Sequence, residues 1–454
     1  MASLVFSILR DLYVVLLIIL LIEQIPGNDL LHDTTRKGII TVTVIIIVAK
    51  LVQPLIENGA GPGRTPCRQK KTTGGSDSLL EWASAEMRGW RPAMEDATCV
   101  ATPLSAPLSN QALFAVFDGH GGAQVSQITS VEFPKVLAAC ASSVVGHASA
   151  GASDGSGKES SSASEATAAE PAEPAAATAG EDAAAAEGEE GRCALPSQIG
   201  KSLHLAMLTM DSFLRKGGDG MPSRPPQSSL GLMEACGDKK NAFSLVGSTA
   251  VVALVEYGET SSSSETGSNN NSNNGNGTAR KLCRIAVANC GDSRAVVCRG
   301  GKAVGLSEDH KPELKAEEER IRKAGGHVAL VGPCHRIDGW GLNLSRALGD
   351  FHYKARTDLP PEQQKVIAVP EIQTLELTEE DEFLLLGCDG IFELNSSQKA
   401  VDIVRRGLSA GLSVGKAVEE LVDKSCSPDL MKTRGQGGDN CSAIVVRFLR
   451  AGSA

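Results

Sequence analysis

Apolar positions between residues 112 and 448 fall mostly in short runs broken by polar residues. Residues 112–117, 248–256, 282–288, 295–299, 383–387 and 442–448 are such runs, bounded by Gly, Asp or Asn, and each reads as a strand. Many carry consecutive apolar side chains, the pattern of a strand covered on both faces. Helical spacing is clearest at 198–215, 312–324, 397–407 and 414–426. In the second of these, Pro312 suits a first turn and Gly325-Gly326 a helix end. Strands outnumber helices without regular βαβ alternation, so the expected class is α+β with antiparallel layering.

Two apolar runs lie at the amino end. Residues 12–22 are too short to cross a hydrocarbon layer of about 30 Å unless Arg10 and Asp11 are included, whereas 38–56 are interrupted only by Lys50, near one end. Arg64, Arg68, Lys70 and Lys71 follow, a basic flank that favours the cytosolic side. The expectation is a membrane contact through residues 1–56 with the rest of the chain facing the cytosol; a cleaved targeting peptide, or a buried hairpin in a cytoplasmic or organelle-targeted protein, is the alternative.

Composition marks what lies outside the core. Residues 147–193 are Ala, Ser, Glu and Gly with ten acidic residues against Lys158 and Arg192, which accounts for most of the chain's formal charge of −10. Such a segment cannot recover its ordering entropy by burial and is expected to be a solvated insertion. The polar runs at 217–240 and 258–280 read the same way. The expected organisation is an anchor and linker over 1–65, one folded domain over 66–449 carrying these three insertions, and a tail over 450–454. An acidic chain offers no general basic field for nucleic acid. Twelve cysteines without a CxxC pair suggest neither a disulfide framework nor a zinc site. Cys441 and Arg447 have the C-x5-R spacing of a cysteine phosphatase, but the intervening Ser-Ala-Ile-Val-Val suits a strand, not an anion-binding loop.

Carboxylates stand where apolar runs meet turns. Asp118 follows Ala-Leu-Phe-Ala-Val-Phe, Asp389 follows Phe-Leu-Leu-Leu-Gly-Cys, and Asp439 precedes Asn440 and a strand. Each Asp-Gly alone is an ordinary turn. As a set on one sheet edge they would repel one another, and a hard divalent cation with oxygen ligands would relieve that. Glu95 and Asp96 open another strand and point to opposite faces, which gives Glu95 to the metal and Asp96 to a surrounding position.

In this order the chain resembles the protein phosphatase 2C family, the metal-dependent serine/threonine phosphatases, over about residues 74–449. The resemblance rests on Gly89-Trp90-Arg91 through Met94-Glu95-Asp96, Asp118-Gly119-His120-Gly121-Gly122, Gly247-Ser248-Thr249-Ala250, Ala288-Asn289-Cys290-Gly291-Asp292-Ser293-Arg294, Asp309-His310-Lys311-Pro312, Ser345-Arg346-Ala347-Leu348-Gly349-Asp350, Cys388-Asp389-Gly390 and Asp439-Asn440. It implies a four-layer αββα sandwich, two antiparallel sheets flanked by helices, with two manganese or magnesium ions at one end. By the family pattern Asp118 bridges both ions, Asp389 and Asp439 hold one, and Glu95 with the Gly119 carbonyl holds the other. Asp309 would hold a weaker third ion with Asp389. Glu393, where many members have Asp, departs from the pattern at that third site.

The chemistry expected is hydrolysis of phosphoserine and phosphothreonine in phosphoproteins, by a monomer, through a hydroxide generated between two cations. Arg91 would clamp phosphate oxygens with its planar fork, and His120 would protonate the leaving alkoxide. His310, Asp350, Gly247 to Thr249 and Asn289 to Arg294 read as structural. A phosphatase-like pseudoenzyme or adaptor is the alternative, set against by the complete set of acids.

Overall fold

The computed structural model of the chain describes residues 65–150, 198–217, 243–260 and 279–449. One sheet runs β1 (Cys67–Ser76), β2 (Leu80–Gly89), β16 (Cys441–Phe448), β15 (Asp381–Gly387), β9 (Arg294–Arg299), β10 (Lys302–Gly305). The other runs β14 (Glu371–Glu376), β8 (Ala279–Cys290), β7 (Ala250–Thr260), β4 (Gln111–Phe117), β3 (Ala97–Ala101). Their strand pairs are antiparallel throughout. A three-stranded patch, β13 (Leu348–Gly349), β6 (Gly247–Ser248), β5 (Gly119–His120), and a hairpin, β11 (Val328–Val331) with β12 (Cys334–Ile337), complete the strands.

The sheets pack face to face, and helices cover both outer faces. Trp82 of β2 meets Phe114 of β4 edge-on, with ring centroids 6.4 Å apart, so these side chains cross the interior between sheets. Glu86, four residues on, follows the same face and accepts the backbone N–H of Thr98 in β3 at 2.9 Å. The alternate residues Ala83, Ala85 and Met87 are buried, and Ala83 lies beside α6 (Val414–Ser425), on the face that α5 (Ser397–Ser409) also covers. Beneath the second sheet Leu113, Ala115 and Phe117 of β4 share a core with Phe133 and Leu137 of α1 (Gln124–Ala150) and Leu203, Met207 and Met210 of α2 (Gln198–Arg215). All seven residues of β4 are buried because both of its faces are covered. The layer order is helices, sheet, sheet, helices, the expected αββα sandwich.

Local chemistry explains the helix limits. Ser396 and Ser413 cap α5 and α6, their hydroxyls accepting N–H groups of Lys399 and Lys416 at 3.2 and 3.4 Å. The helix expected at 312–324 is α3 (Lys315–Lys323): residues 312–314 form a turn, closed by the Leu314 N–H on the Lys311 carbonyl at 3.2 Å. A one-turn helix, α4 (Asp389–Phe392), leaves β15 directly. Helix α1 went unread in the sequence, being rich in Ala and Ser and carrying Pro134 inside it. Its packing against α2, not a strong apolar stripe, holds it helical. Cys441 to Arg447 is strand β16, as its β-branched run implies, and the described cysteines are free thiols.

The apolar runs at 12–22 and 38–56 lie outside the described residues, as does most of the three insertions. Among the described residues no helix is long and apolar enough to cross a membrane. Strands β7 and β8 continue their pairing as far as Thr260 and Ala279, so the Asn-rich insertion extends the connection of an antiparallel hairpin.

Candidate metal and phosphate site

Strand register gathers the acids at one end of the sandwich. Phe117 pairs with Ala97, which sets Asp118, just after β4, beside Glu95 and Asp96, just before β3. In the facing sheet Gly387 pairs with Ala443 and with Arg294, so Asp389, Asp439 and the β8–β9 turn meet at the same end. Oxygens of Asp389, Glu393 and Asp439 lie within 4.8 Å of one another.

The electrostatics carry the mark of crowded acids. Burial first, then the charges of Asp96, Asp389 and Asp439, hold the Asp118 carboxyl well above its ordinary value. Burial and then Asp292, Asp439 and Glu393 do the same to Asp389. Burial lifts Glu95, with Arg91 and His120 opposing. Asp96, 5% exposed, accepts the Ser442 hydroxyl at 2.7 Å and is pushed up to about 7, chiefly by burial. Neutral acids could sit here by protonation, but ionised ones need compensating charge. An all-oxygen donor set so crowded by its own charges is what hard divalent ions take, so the residues present fit magnesium or manganese.

Supporting contacts position these acids. A Cβ on Gly119 would run into the Glu95 carbonyl, so only glycine lets the two segments approach this closely. The Glu95 carbonyl also accepts the Ser126 hydroxyl at the start of α1. Asn440 ties the ends together: its Oδ1 accepts the Glu95 N–H at 2.8 Å, and its Nδ2 donates to the Arg88 and Ala93 carbonyls at 2.8 and 3.0 Å. Thr249, between β6 and β7, braces Asp118, exchanging backbone and hydroxyl bonds with it at 2.9 and 3.2 Å.

Arg91 stands at the mouth with half its side chain exposed, and its Nη2 meets Asp439 Oδ2 at 2.6 Å. His120 Nε2 lies 2.6 Å from Asp350 Oδ2. Burial pulls the His120 imidazole down, yet the charge and hydrogen bond of Asp350, with Asp292 and Glu95 beyond, carry it above the ordinary histidine value. Asp309 is held off to the side, gripped by both nitrogens of the Arg294 fork at 2.7 and 2.9 Å. Glu393 accepts the Gly437 N–H at 2.6 Å, so its extra methylene reaches the loop before Asp439.

Three participants were not legible. Asp292, read as turn scaffold, is buried and contributes to the field at Asp118 and Asp389. Lys311 forms an ion pair with Asp292, and Asp292, Asp389 and Asp309 raise it above the usual lysine range against the pull of burial. Asp350, read as structural, is the partner of His120. All three stand within the motifs that carry the family resemblance, but the local sequence around each is ordinary turn punctuation and gives no sign of its partner.

A model of the family described as protein phosphatase 2C matches residues 80–199 and 231–433. "Probable protein phosphatase 2C 58" of Oryza sativa subsp. japonica is 30% identical over 396 residues, covering 85% of this chain and 88% of the relative. "Protein phosphatase 1G" of Homo sapiens is 44% identical over 171 residues, 36% of this chain and 30% of that one. In architecture the chain is similar to the solved serine-threonine phosphatase 2C from Toxoplasma gondii, with a TM-score of 0.54 at 18% identity, covering 84% of this chain and 99% of that one. With its acids gathered at one end of an αββα sandwich, the chain belongs to the protein phosphatase 2C family of metal-dependent serine/threonine protein phosphatases.

Proposed function

We propose that Glu95, Asp118, the Gly119 carbonyl, Asp389 and Asp439 hold two divalent ions, manganese or magnesium, and that Arg91 and His120 act on the phosphorylated side chain of a protein substrate. The observation that carries this reading is geometric: strand register brings Asp118 and Glu95 to the end of the sandwich where oxygens of Asp389, Glu393 and Asp439 lie within 4.8 Å of one another. When bound, such ions supply an activated water and offset phosphate charge. Arg91 keeps Nε and Nη1 free of described partners while Asp439 steadies Nη2, so its fork faces solvent ready to orient two phosphate oxygens. His120, partly shielded and oriented by its hydrogen bond to Asp350, gives its proton to the departing serine or threonine oxygen. Glu393 lies beside Asp389, and Asp309, gripped by Arg294, would complete a weaker third site with Asp389.

The apolar run 38–56 and its basic flank support a tether that leaves this domain on the cytosolic side of a membrane. The site is tested by turnover of a phosphoserine peptide with manganese, with chelator, and in Asp118→Asn and Asp439→Asn, alongside manganese calorimetry. Activity should require the ion and fall at least about 100-fold in both variants, with weakened ion binding. Full turnover in chelator, or unchanged ion binding in both variants, would overturn the assignment.

A further inference from the structure

Asp350 is placed at a conformational cost. It follows β13 with φ 52° and ψ 41°, the left-handed region, where a residue with a Cβ is uncommon and Asp or Asn the least disfavoured. It is 1% exposed; Oδ2 meets His120 Nε2 at 2.6 Å, and Oδ1 is buried with no hydrogen-bond partner among the described residues. A buried carboxylate half-satisfied in this way is unfavourable unless its one partner is ionic.

The surroundings hold that pair rigidly. His120 and Gly349 both pair with Gly247 on the central strand β6, and a Cβ on Gly247 would run into both the Asp350 carboxylate and His120 Nε2. Asp350 N–H donates to the Val246 carbonyl at 3.0 Å. The loop is pinned from α2: Asp211 Oδ1 accepts the Gly349 N–H at 2.9 Å and Lys354 Nζ at 2.7 Å, while Lys354 Nζ also donates to the Ala347 carbonyl at 2.8 Å. A purely structural ion pair would not need a glycine strand threaded against both of its members.

We propose that Asp350 is a positioning residue for His120: its carboxylate fixes Nε2–H, so that Nδ1 is the ring nitrogen presenting a proton to the leaving group. This rests on the assignment of His120 as the acid. In the step it serves, water forms a new bond to phosphorus and releases one proton to solvent, while the bond from phosphorus to the serine or threonine oxygen breaks. That oxygen keeps the electron pair and takes the Nδ1 proton; the imidazole is reprotonated from solvent after the products leave.

The experiment compares Asp350→Asn on two substrates with manganese present: a phosphoserine peptide, whose alkoxide needs a proton, and 2,4-dinitrophenyl phosphate, whose phenolate does not. We expect kcat to fall about 30- to 100-fold on the peptide and less than about threefold on the aryl ester, with manganese affinity unchanged by calorimetry. In His120→Gln the same selective loss should appear, and adding Asp350→Asn should cost nothing further. Imidazole 15N spectra should show a downfield Nε2 proton that Asp350→Asn removes. Equal losses on the two substrates, or additive effects of the two substitutions, would overturn the role of Asp350. If His120→Gln alone fails to separate the substrates, it is the assignment of His120 that falls. Should Asp350→Asn not fold, Asp350→Glu decides by the same comparison, because it keeps the charge and displaces the oxygens.

Discussion

Glu317 offers the sharpest test of how the site's framework is held. It sits on α3, 2% exposed, and accepts bonds from Arg320 Nη1 and Arg346 Nη2 at 2.7 Å each and from the Ser345 hydroxyl. These residues lead into the loop carrying Asp350. Burial alone pushes the Glu317 carboxyl up, but the Arg346 and Arg320 guanidiniums and the Ser345 hydroxyl outweigh it and hold the group at about 2 against an ordinary 4.5. At roughly 1.4 kcal/mol per unit this corresponds to about 3 kcal/mol of folded-state stability. A depressed carboxyl stabilises fully above its unfolded value and loses that contribution as pH falls toward its folded one, here between about 4.5 and about 2. Glu317→Gln should therefore be less stable by about 3 kcal/mol in urea unfolding at neutral pH. Near pH 3.5 the gap between the two proteins should narrow by roughly 1 kcal/mol, other acids being common to both. A gap that stays constant with pH, or a variant as stable as the parent at pH 7, would refute the reasoning.

Arg91→Ala should raise KM for a phosphoserine peptide about tenfold or more and lower kcat, while Arg91→Lys recovers only part of either, because a point charge cannot span two phosphate oxygens; full recovery by lysine in steady-state kinetics would refute the clamp. Carbonate extraction of membranes should leave the full chain in the pellet and release a chain begun at residue 66; a full chain found in the supernatant would argue against the tether.

The Asp118, Asp389 and Asp439 positions were legible because each follows or precedes a run apolar enough to be a buried strand, and a carboxylate cannot continue into that core. Helices α5 and α6 were legible from the helical spacing of their apolar positions, while their Ser caps came only with the structure. Helix α1 was not, since its small residues become a buried face only when α2 lies across them.

Local patterning thus marked the buried strands β4, β7, β8, β9, β15 and β16 and where the acids stand relative to them, whereas β1, β2 and β14, with fewer consecutive apolar residues, went unread. Partnership was decided in three dimensions. Asp350 is 230 residues from His120 along the chain, and the contact exists only because β6 lies between β5 and β13. Arg294 takes Asp309, Lys311 takes Asp292, and Glu393 reaches the Gly437 amide through the same kind of long-range closure. Spacing along a chain cannot encode such pairs, because hydrogen bonds and ion pairs depend on distances that strand register and sheet packing create.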